Sequence, residues 1–464
     1  MSFLSATEIV AQLRAKKTSP LEILEAQIKR IEEVNPRVNA FVTTDFDRAR
    51  EAARDSEARI MKGEARALEG LPVSIKDTID TAGLRTVSGT RLHEQRVPNA
   101  DATVVSRLKA AGAVILGKTN VPECAMDLRT DNPVFGRTNN PWDLERTAGG
   151  SSGGEAAAIA AGCSPAGVGS DLGGSIRVPA HFCGICGLKP TPGRVPGTGH
   201  FVGGFIGPIS LGTSIGPMAR RVADLELLFK VLAGFDPADP VSVPLPVRER
   251  PDIQSLKLMW YADDGFCPAT TAVRQTVERA AGALAARGLD IVERRPKGLE
   301  RGWNLWSVML GQAGTPALLR LYEGREDLMG PLLKAMKKIS KPLSFDEYTA
   351  AWIARDLLRA SILREMQERP VLLSPVAAIP AFPHDHRGGF DVEGRSVEYL
   401  HVFSYAQTYN VLGLPAAVVP CGRSPEGLPI GVQVVGFPYA EETVLAVAAL
   451  LEESLGGFQP PPLL

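Results

Sequence analysis

A lysine closes an apolar run at Gly70-Leu71-Pro72-Val73-Ser74-Ile75-Lys76-Asp77. Two glycine-framed serines follow it, in Gly149-Gly150-Ser151-Ser152-Gly153-Gly154 and in Asp171-Leu172-Gly173-Gly174-Ser175-Ile176-Arg177. A serine hydroxyl is almost wholly protonated at neutral pH and needs a base before it can attack a carbonyl. The six histidines form no recognisable triad motif, and the Gly-x-Ser-x-Gly elbow is absent around Ser175. A lysine desolvated at the end of a buried strand can take the proton instead, because burial disfavours its charged form. A second serine can carry that proton between lysine and nucleophile, which is the Ser-Lys form of triad logic. On this reading Lys76 is the base, Ser151 the relay and Ser175 the nucleophile. Acyl transfer builds negative charge on the carbonyl oxygen, and backbone N–H groups aimed at it are strong stabilisers. Leu172, Gly173, Gly174 and Ser175 are the candidate donors, given a tight turn that glycine permits.

Each of these features has an ordinary explanation when taken singly. Lys-Asp after a strand is commonly a surface ion pair, a Gly-Ser run a turn or linker, and glycines beside a serine an anion nest. Their joint occurrence in one chain is what points to acyl transfer. A metal-dependent hydrolase is the competing class, on His384-Asp385-His386, but two histidines at i and i+2 face opposite ways on a strand and chelate poorly. Cys183-Gly184-Ile185-Cys186 has no second cysteine pair to complete a zinc ribbon, so the two thiols read as small buried apolar groups. No cofactor and no metal is expected.

The elements that must position these residues alternate in type. Ser5-Ala6-Thr7-Glu8 reads as a capping box, and Ser19-Pro20 as a helix start followed by Leu21, Leu24, Ile28 and Ile31 on one face. Residues 45–62 form a charged, alanine-rich helix. From about residue 71 short strands (Leu71–Ile75, Val114–Leu116) alternate with helices (Ala102–Ala111), which argues for an α/β architecture with a sheet buried on both faces. Residues 148–187 interleave small residues with Leu172, Ile176, Val178, Phe182 and Ile185, and so read as packed backbone. Helices at Val222–Ala233 and 271–287 precede a strand at Leu289–Val292. The segment 300–345, with Trp303, Trp306 and Met309, is helical in tendency but irregular, suited to core packing or to a pocket wall. Strands at Val371–Ser374, Ala416–Pro420 and Ile430–Val435 lead to a closing helix from Glu441 to Ser454. No internal repeat or clean linker interrupts the chain, so one domain over 1–464 is expected.

Residues 70–220 closely resemble the amidase-signature family. The stretch from Gly149 to Thr191 follows that signature almost end to end, and its Phe182-Cys-Gly-Ile-Cys-Gly-Leu-Lys-Pro190 close is similar to the fatty acid amide hydrolase branch. Residues 1–70 and 370–455, including Asn410-Val-Leu-Gly-Leu-Pro-Ala416, match more loosely, and 235–345 weakly. The resemblance implies a lysine, a serine preceded by a cis peptide bond and a nucleophilic serine, at Lys76, Ser151 and Ser175. It implies supporting roles for Ser152, Asp171 and Arg177, which hold the loop and its hydrogen bonds. It also implies a large mixed sheet between helices in one α/β/α domain, with 300–345 as a variable pocket region. The implied activity is hydrolysis of carbon-nitrogen bonds in apolar acyl or aryl amides, with esters and carbamates as further substrates. One branch, the amidotransferase subunit that makes ammonia from glutamine and works in a complex, usually carries an aspartate shortly before its Asn-Leu-Ala-Gly segment. Here Phe403 stands near that position, which favours a stand-alone hydrolase.

Composition narrows the partners. The 51 basic and 52 acidic residues nearly cancel, giving a formal charge of −1 and no electrostatic footprint for nucleic acid. The N-terminus reads as an amphipathic helix rather than a signal peptide, and no run of 18 apolar residues occurs, so a cytosolic protein without a membrane span is expected. The expected partner is a small-molecule amide or ester. Nothing in the sequence fixes the oligomeric state, a homodimer being one arrangement open to it. Substrate choice is expected to rest on the 200–210 loop, the 300–345 segment and the loop around 380–390.

Overall fold

Eleven strands form one mixed sheet in a computed structural model that describes residues 2–201 and 207–462. In chain order they are β1 (Phe41–Thr44), β2 (Pro72–Lys76), β3 (Val114–Thr119), β4 (Ala166–Asp171), β5 (Cys186–Lys189), β6 (Ser214–Ala219), β7 (Lys257–Trp260), β8 (Asp290–Glu293), β9 (Val371–Pro375), β10 (Ala416–Arg423) and β11 (Pro429–Gly436). Their spatial order is β1-β3-β2-β4-β6-β5-β10-β11-β9-β7-β8. Strand β2 runs parallel to both β3 and β4, while β6, β5, β10 and β11 pair antiparallel.

Side-chain alternation divides the sheet between two hydrophobic cores. Val73, Ile75, Val168, Leu188, Ala417 and Val419 join one cluster. Val418, with Ala156–Ala160 from the helix Gly153–Ala160, Phe182 from the helix Arg177–Cys183 and Ile176 just before it, joins the other. The sheet is therefore covered on both faces, as the sequence led one to expect. On β2 this alternation turns Ser74 toward the helix Gly153–Ala160, where its hydroxyl donates to the buried Glu155 carboxylate. In register, Ile75 lies opposite Val168, so the carboxyl ends of β2 and β4 reach the same rim of the sheet. That rim carries Lys76 and Asp171.

Both predicted helix starts are present, each as a full capping box (Ser5 with Glu8, Ser19 with Glu22). Two results differ from the sequence expectation. Residues Ala166–Asp171 form a central strand although their glycines hide any β-branched alternation. A 24-residue helix, Phe345–Glu368, follows the irregular segment. Its buried residues Ala351, Leu358, Ile362 and Met366 are masked in the sequence by the exposed Phe345, Ile353 and Leu357. The 300–345 segment is helical but irregular, as expected, and breaks into short helices around a π-helix at Ser307–Gln312. All six cysteines are buried and free, Cys183 and Cys186 among them. Of the 200–210 loop, residues 202–206 lie outside the described residues. Among the described residues no helix is long and apolar enough to cross a membrane.

Candidate active site

Lys76 ends β2 fully buried, and its Nζ lies 2.7 Å from Ser151 Oγ, 3.0 Å from Ser170 Oγ and 3.3 Å from the Ser170 carbonyl oxygen. Burial lowers the Lys76 ammonium from its ordinary value to about 7, against the opposing fields of Asp171 and Glu155. Asp77 turns away, as strand alternation requires, and accepts from the N–H groups of Val87 (3.1 Å) and Ser88 (3.0 Å). Its own burial pushes the carboxyl up, with the nearby Lys118 ammonium opposing the shift.

Ser151 precedes the helix Gly153–Ala160, and the Gly150–Ser151 peptide bond is cis. Ser152 N–H donates to the Ser175 carbonyl (3.1 Å), while its hydroxyl reaches the Ser170 carbonyl (3.3 Å). These contacts bring the two glycine-framed serine segments together across β4. Ser175 keeps 8% of its surface exposed, whereas Ser151 keeps 2%.

The turn before Ser175 is organised by one carboxylate. Asp171 accepts from the N–H groups of Gly174 (2.8 Å), Ile176 (3.1 Å) and Arg177 (3.3 Å). It also accepts from Arg177 Nε (3.0 Å) and Asn410 Nδ2 (2.9 Å). With Arg177 beside it, the Asp171 carboxyl is held well below its ordinary range despite burial. Arg177 is itself fully buried and donates on to Gln433 Oε1 (3.0 Å) and to Asn410 Oδ1. Gly174 sits at φ 102°, a conformation that favours glycine. Its N–H is committed to Asp171, which narrows the candidate oxyanion donors from four to Leu172, Gly173 and Ser175. Trp306 Nε1 donates to the Leu172 carbonyl (2.8 Å), fixing which way that peptide faces.

Several residues here escape a reading of the sequence. Glu155 and Ser170 lie inside the signature stretch and Gln433 and His200 outside it, but none of the four is singled out by its own residue type or spacing, and Trp306 stands out only as part of an apolar wall. The signal for Glu155 is a charged residue in an otherwise small and apolar helix. At the competing metal motif, the His386 ring stacks on Phe390 with centroids 4.2 Å apart. Burial lowers His384 to about 4, and Arg137 adds to that shift. Among the described residues no cluster of three or more His, Cys, Asp or Glu side chains has a metal-holding arrangement. Phe403 is fully buried, its ring 5.7 Å from Tyr399 and 6.5 Å from Phe182.

The family model described as Amidase matches residues 22–445, most of the chain. The chain belongs to the amidase family. This amidase-family enzyme is similar to the A-type subunit of the glutamyl-tRNA(Gln) amidotransferase of Anaeromyxobacter sp. (strain K), 36% identical over 490 residues, covering 99% of this chain and 98% of the relative. Among solved structures it is similar to a chain of a vestigial complex bearing on the evolutionary origins of an s-triazine catabolic enzyme (TM-score 0.90, 30% identity, 98% of this chain and 100% of that one). It is also similar to a bacterial aryl acylamidase of the amidase-signature family (TM-score 0.86, 28% identity, 97% and 96% covered). A fatty acid amide hydrolase is a further neighbour (TM-score 0.85, 26% identity, 98% and 85% covered).

Proposed function

We propose that this chain cleaves amide C–N bonds through an acyl-enzyme on Ser175, with Lys76 as base and Ser151 as relay. The observation that carries the reading is a fully buried lysine, lowered to about 7, with its Nζ 2.7 Å from Ser151 Oγ. Ser151 passes its proton to Lys76 and takes the proton of Ser175, whose Oγ bonds the carbonyl carbon. The N–H groups of Leu172, Gly173 and Ser175 hold the charge that develops on the carbonyl oxygen. The proton then returns from Lys76 through Ser151 to the leaving nitrogen as the C–N bond breaks. Water repeats the sequence on the acyl-enzyme, releasing the acid and restoring Ser175. Asp171, Arg177 and Ser152 act by holding the nucleophile loop. Esters and carbamates pass through the same tetrahedral geometry and are further substrates.

Two settings differ in what supplies the amide. Full-length similarity at 36% identity favours the A-type subunit of a glutamine-dependent amidotransferase, working with partner subunits, and this is the better supported setting. A stand-alone hydrolase of apolar or aryl amides retains one observation of its own. Phe403 is hydrocarbon, buried among aromatic rings, where the glutamine-using branch usually carries an acid. Labelling by a serine-directed fluorophosphonate tests the chemistry common to both: Ser175→Ala should abolish it, and labelling that persists at another serine refutes the nucleophile. Turnover of glutamine, with partner subunits copurifying, supports the first setting. Turnover of aryl amides and esters by the isolated chain supports the second.

A further inference from the structure

Among the described residues, His200 is the histidine whose ring joins the hydrogen-bond network around Lys76. Its Nε2 lies 2.9 Å from Ser170 Oγ and 3.0 Å from Thr78 Oγ1, and its Nδ1 lies 3.4 Å from the Phe201 carbonyl oxygen. The ring is pinned to the backbone just beyond Lys76: His200 bridges to Ile79, and Phe201 N–H donates to the Thr78 carbonyl (2.7 Å).

Counting protons on this network fixes its direction. A neutral lysine amine has two N–H donors and one lone pair. For Lys76 to act as base, the lone pair must face Ser151 Oγ, 2.7 Å away. Its two N–H groups are then left for the Ser170 carbonyl (3.3 Å) and the Ser170 hydroxyl oxygen (3.0 Å). Ser170 has one hydroxyl proton, and with its oxygen accepting from Lys76 that proton must go elsewhere. Among the described residues, His200 Nε2 is the acceptor within reach, 2.9 Å away. The imidazole must then be neutral with its proton on Nδ1, toward the Phe201 carbonyl. Burial agrees with this, since it lowers the ring to about 3.

We propose that His200 is a positioning residue that acts through Ser170: by accepting the Ser170 hydroxyl proton it keeps that hydroxyl from donating to Lys76 and leaves the lysine lone pair to Ser151. This rests on the reading of Lys76 as base and Ser175 as nucleophile. Without the imidazole acceptor, the Ser170 hydroxyl rotates and donates to the Lys76 lone pair, in competition with Ser151.

The test is the rate of fluorophosphonate labelling in the full chain. His200→Leu, which fills similar space without an acceptor, should slow labelling about tenfold to a hundredfold, part of the roughly hundredfold to ten-thousandfold that a positioned base contributes. Adding Ser170→Ala to His200→Leu removes the competing hydroxyl, so the double variant should label faster than His200→Leu itself. His200→Gln, whose side-chain carbonyl can accept from Ser170, should label faster than His200→Leu. A histidine that merely filled space would give neither recovery. Wild-type labelling in His200→Leu, a double variant slowed by the product of the two single effects, or a Gln variant no faster than the Leu variant would each overturn the proposal. Should His200→Leu fail to fold, the comparison of His200→Gln with Ser170→Ala decides: a Gln variant slower than Ser170→Ala overturns it. Ser175→Ala in the same assay separates the two claims, because labelling retained there faults the nucleophile and not His200.

Discussion

The lysine base makes a quantitative demand on the pH profile. With burial holding Lys76 at about 7, the neutral amine is roughly a tenth of the population at pH 6 and roughly nine-tenths at pH 8. Acylation at Ser175 should therefore rise about tenfold across that interval and level off above it. An unperturbed lysine, at about 10.4, would instead keep rising through pH 9 and 10. The measurement is the second-order rate of fluorophosphonate labelling from pH 5.5 to 10, corrected for reagent hydrolysis. Glu155→Gln sharpens it: the Glu155 carboxylate is one of two fields that raise Lys76, so removing its charge should move the midpoint below that of the wild type. A flat profile, or a midpoint near the ordinary lysine value, would refute the buried-base argument. Burial also raises Glu155 to about 7, so an unmoved midpoint in Glu155→Gln would show that this carboxylate carries no charge there or that its field does not reach the amine.

Three further outcomes follow from the same geometry. Burial depresses the folded-state value of Lys76, so between about 7 and 10.5 the unfolded chain holds a proton that the folded chain lacks, and this group's contribution to stability rises with pH across that window. Lys76→Met should accordingly gain on wild type by more at pH 7 than at pH 9, read from urea midpoints; a constant difference would contradict the shift. Arg177→Met strips the cation from the fully buried Asp171 and should cost about 3–5 kcal/mol of stability, together with labelling, where an unchanged urea midpoint would argue against an ionised Asp171. Trp306→Phe loses the N–H bond to the Leu172 carbonyl, a net effect of about 0.5–1.5 kcal/mol, and should slow labelling severalfold; an unchanged rate would detach the orientation of the Leu172 peptide from oxyanion binding.

Much of the site was legible because its chemistry needs uncommon residue types in a short span. A lysine closing an apolar run and serines directly after paired glycines stand out against any background. The helices read well where capping boxes mark their starts, as at Ser5 and Ser19. What stayed hidden was whatever depends on long-range register. Ser170 reaches Lys76 because β2 and β4 run parallel, and local spacing does not encode that pairing. Asn410 and Gln433 meet Arg177 from more than 200 positions away. The strand Ala166–Asp171 carries glycines where a strand ordinarily shows branched side chains. Gly174 shows the limit from the other side: glycine at a nucleophile turn suggested an oxyanion donor, while the fold directs its N–H to Asp171.

The six buried thiols give the molecule a built-in record of how it opens. Burial pushes Cys124, Cys163, Cys267 and Cys421 up to about 12 and Cys183 and Cys186 higher still, so a thiol reagent at neutral pH reacts only with segments that have come apart. The six are spread over different layers. Cys163 and Cys183 belong to the core around the helices behind the nucleophile loop, while Cys186 and Cys421 belong to the core on the other face of the sheet. Cys124 sits apart, in a small cluster with Leu318, Tyr322, Met329 and Leu333. Mapping the order of modification by mass would therefore distinguish local breathing from cooperative unfolding, residue by residue. Cys124 should react first, because the least apolar packing has to separate to free it, and the thiols of the two main cores should react together and late.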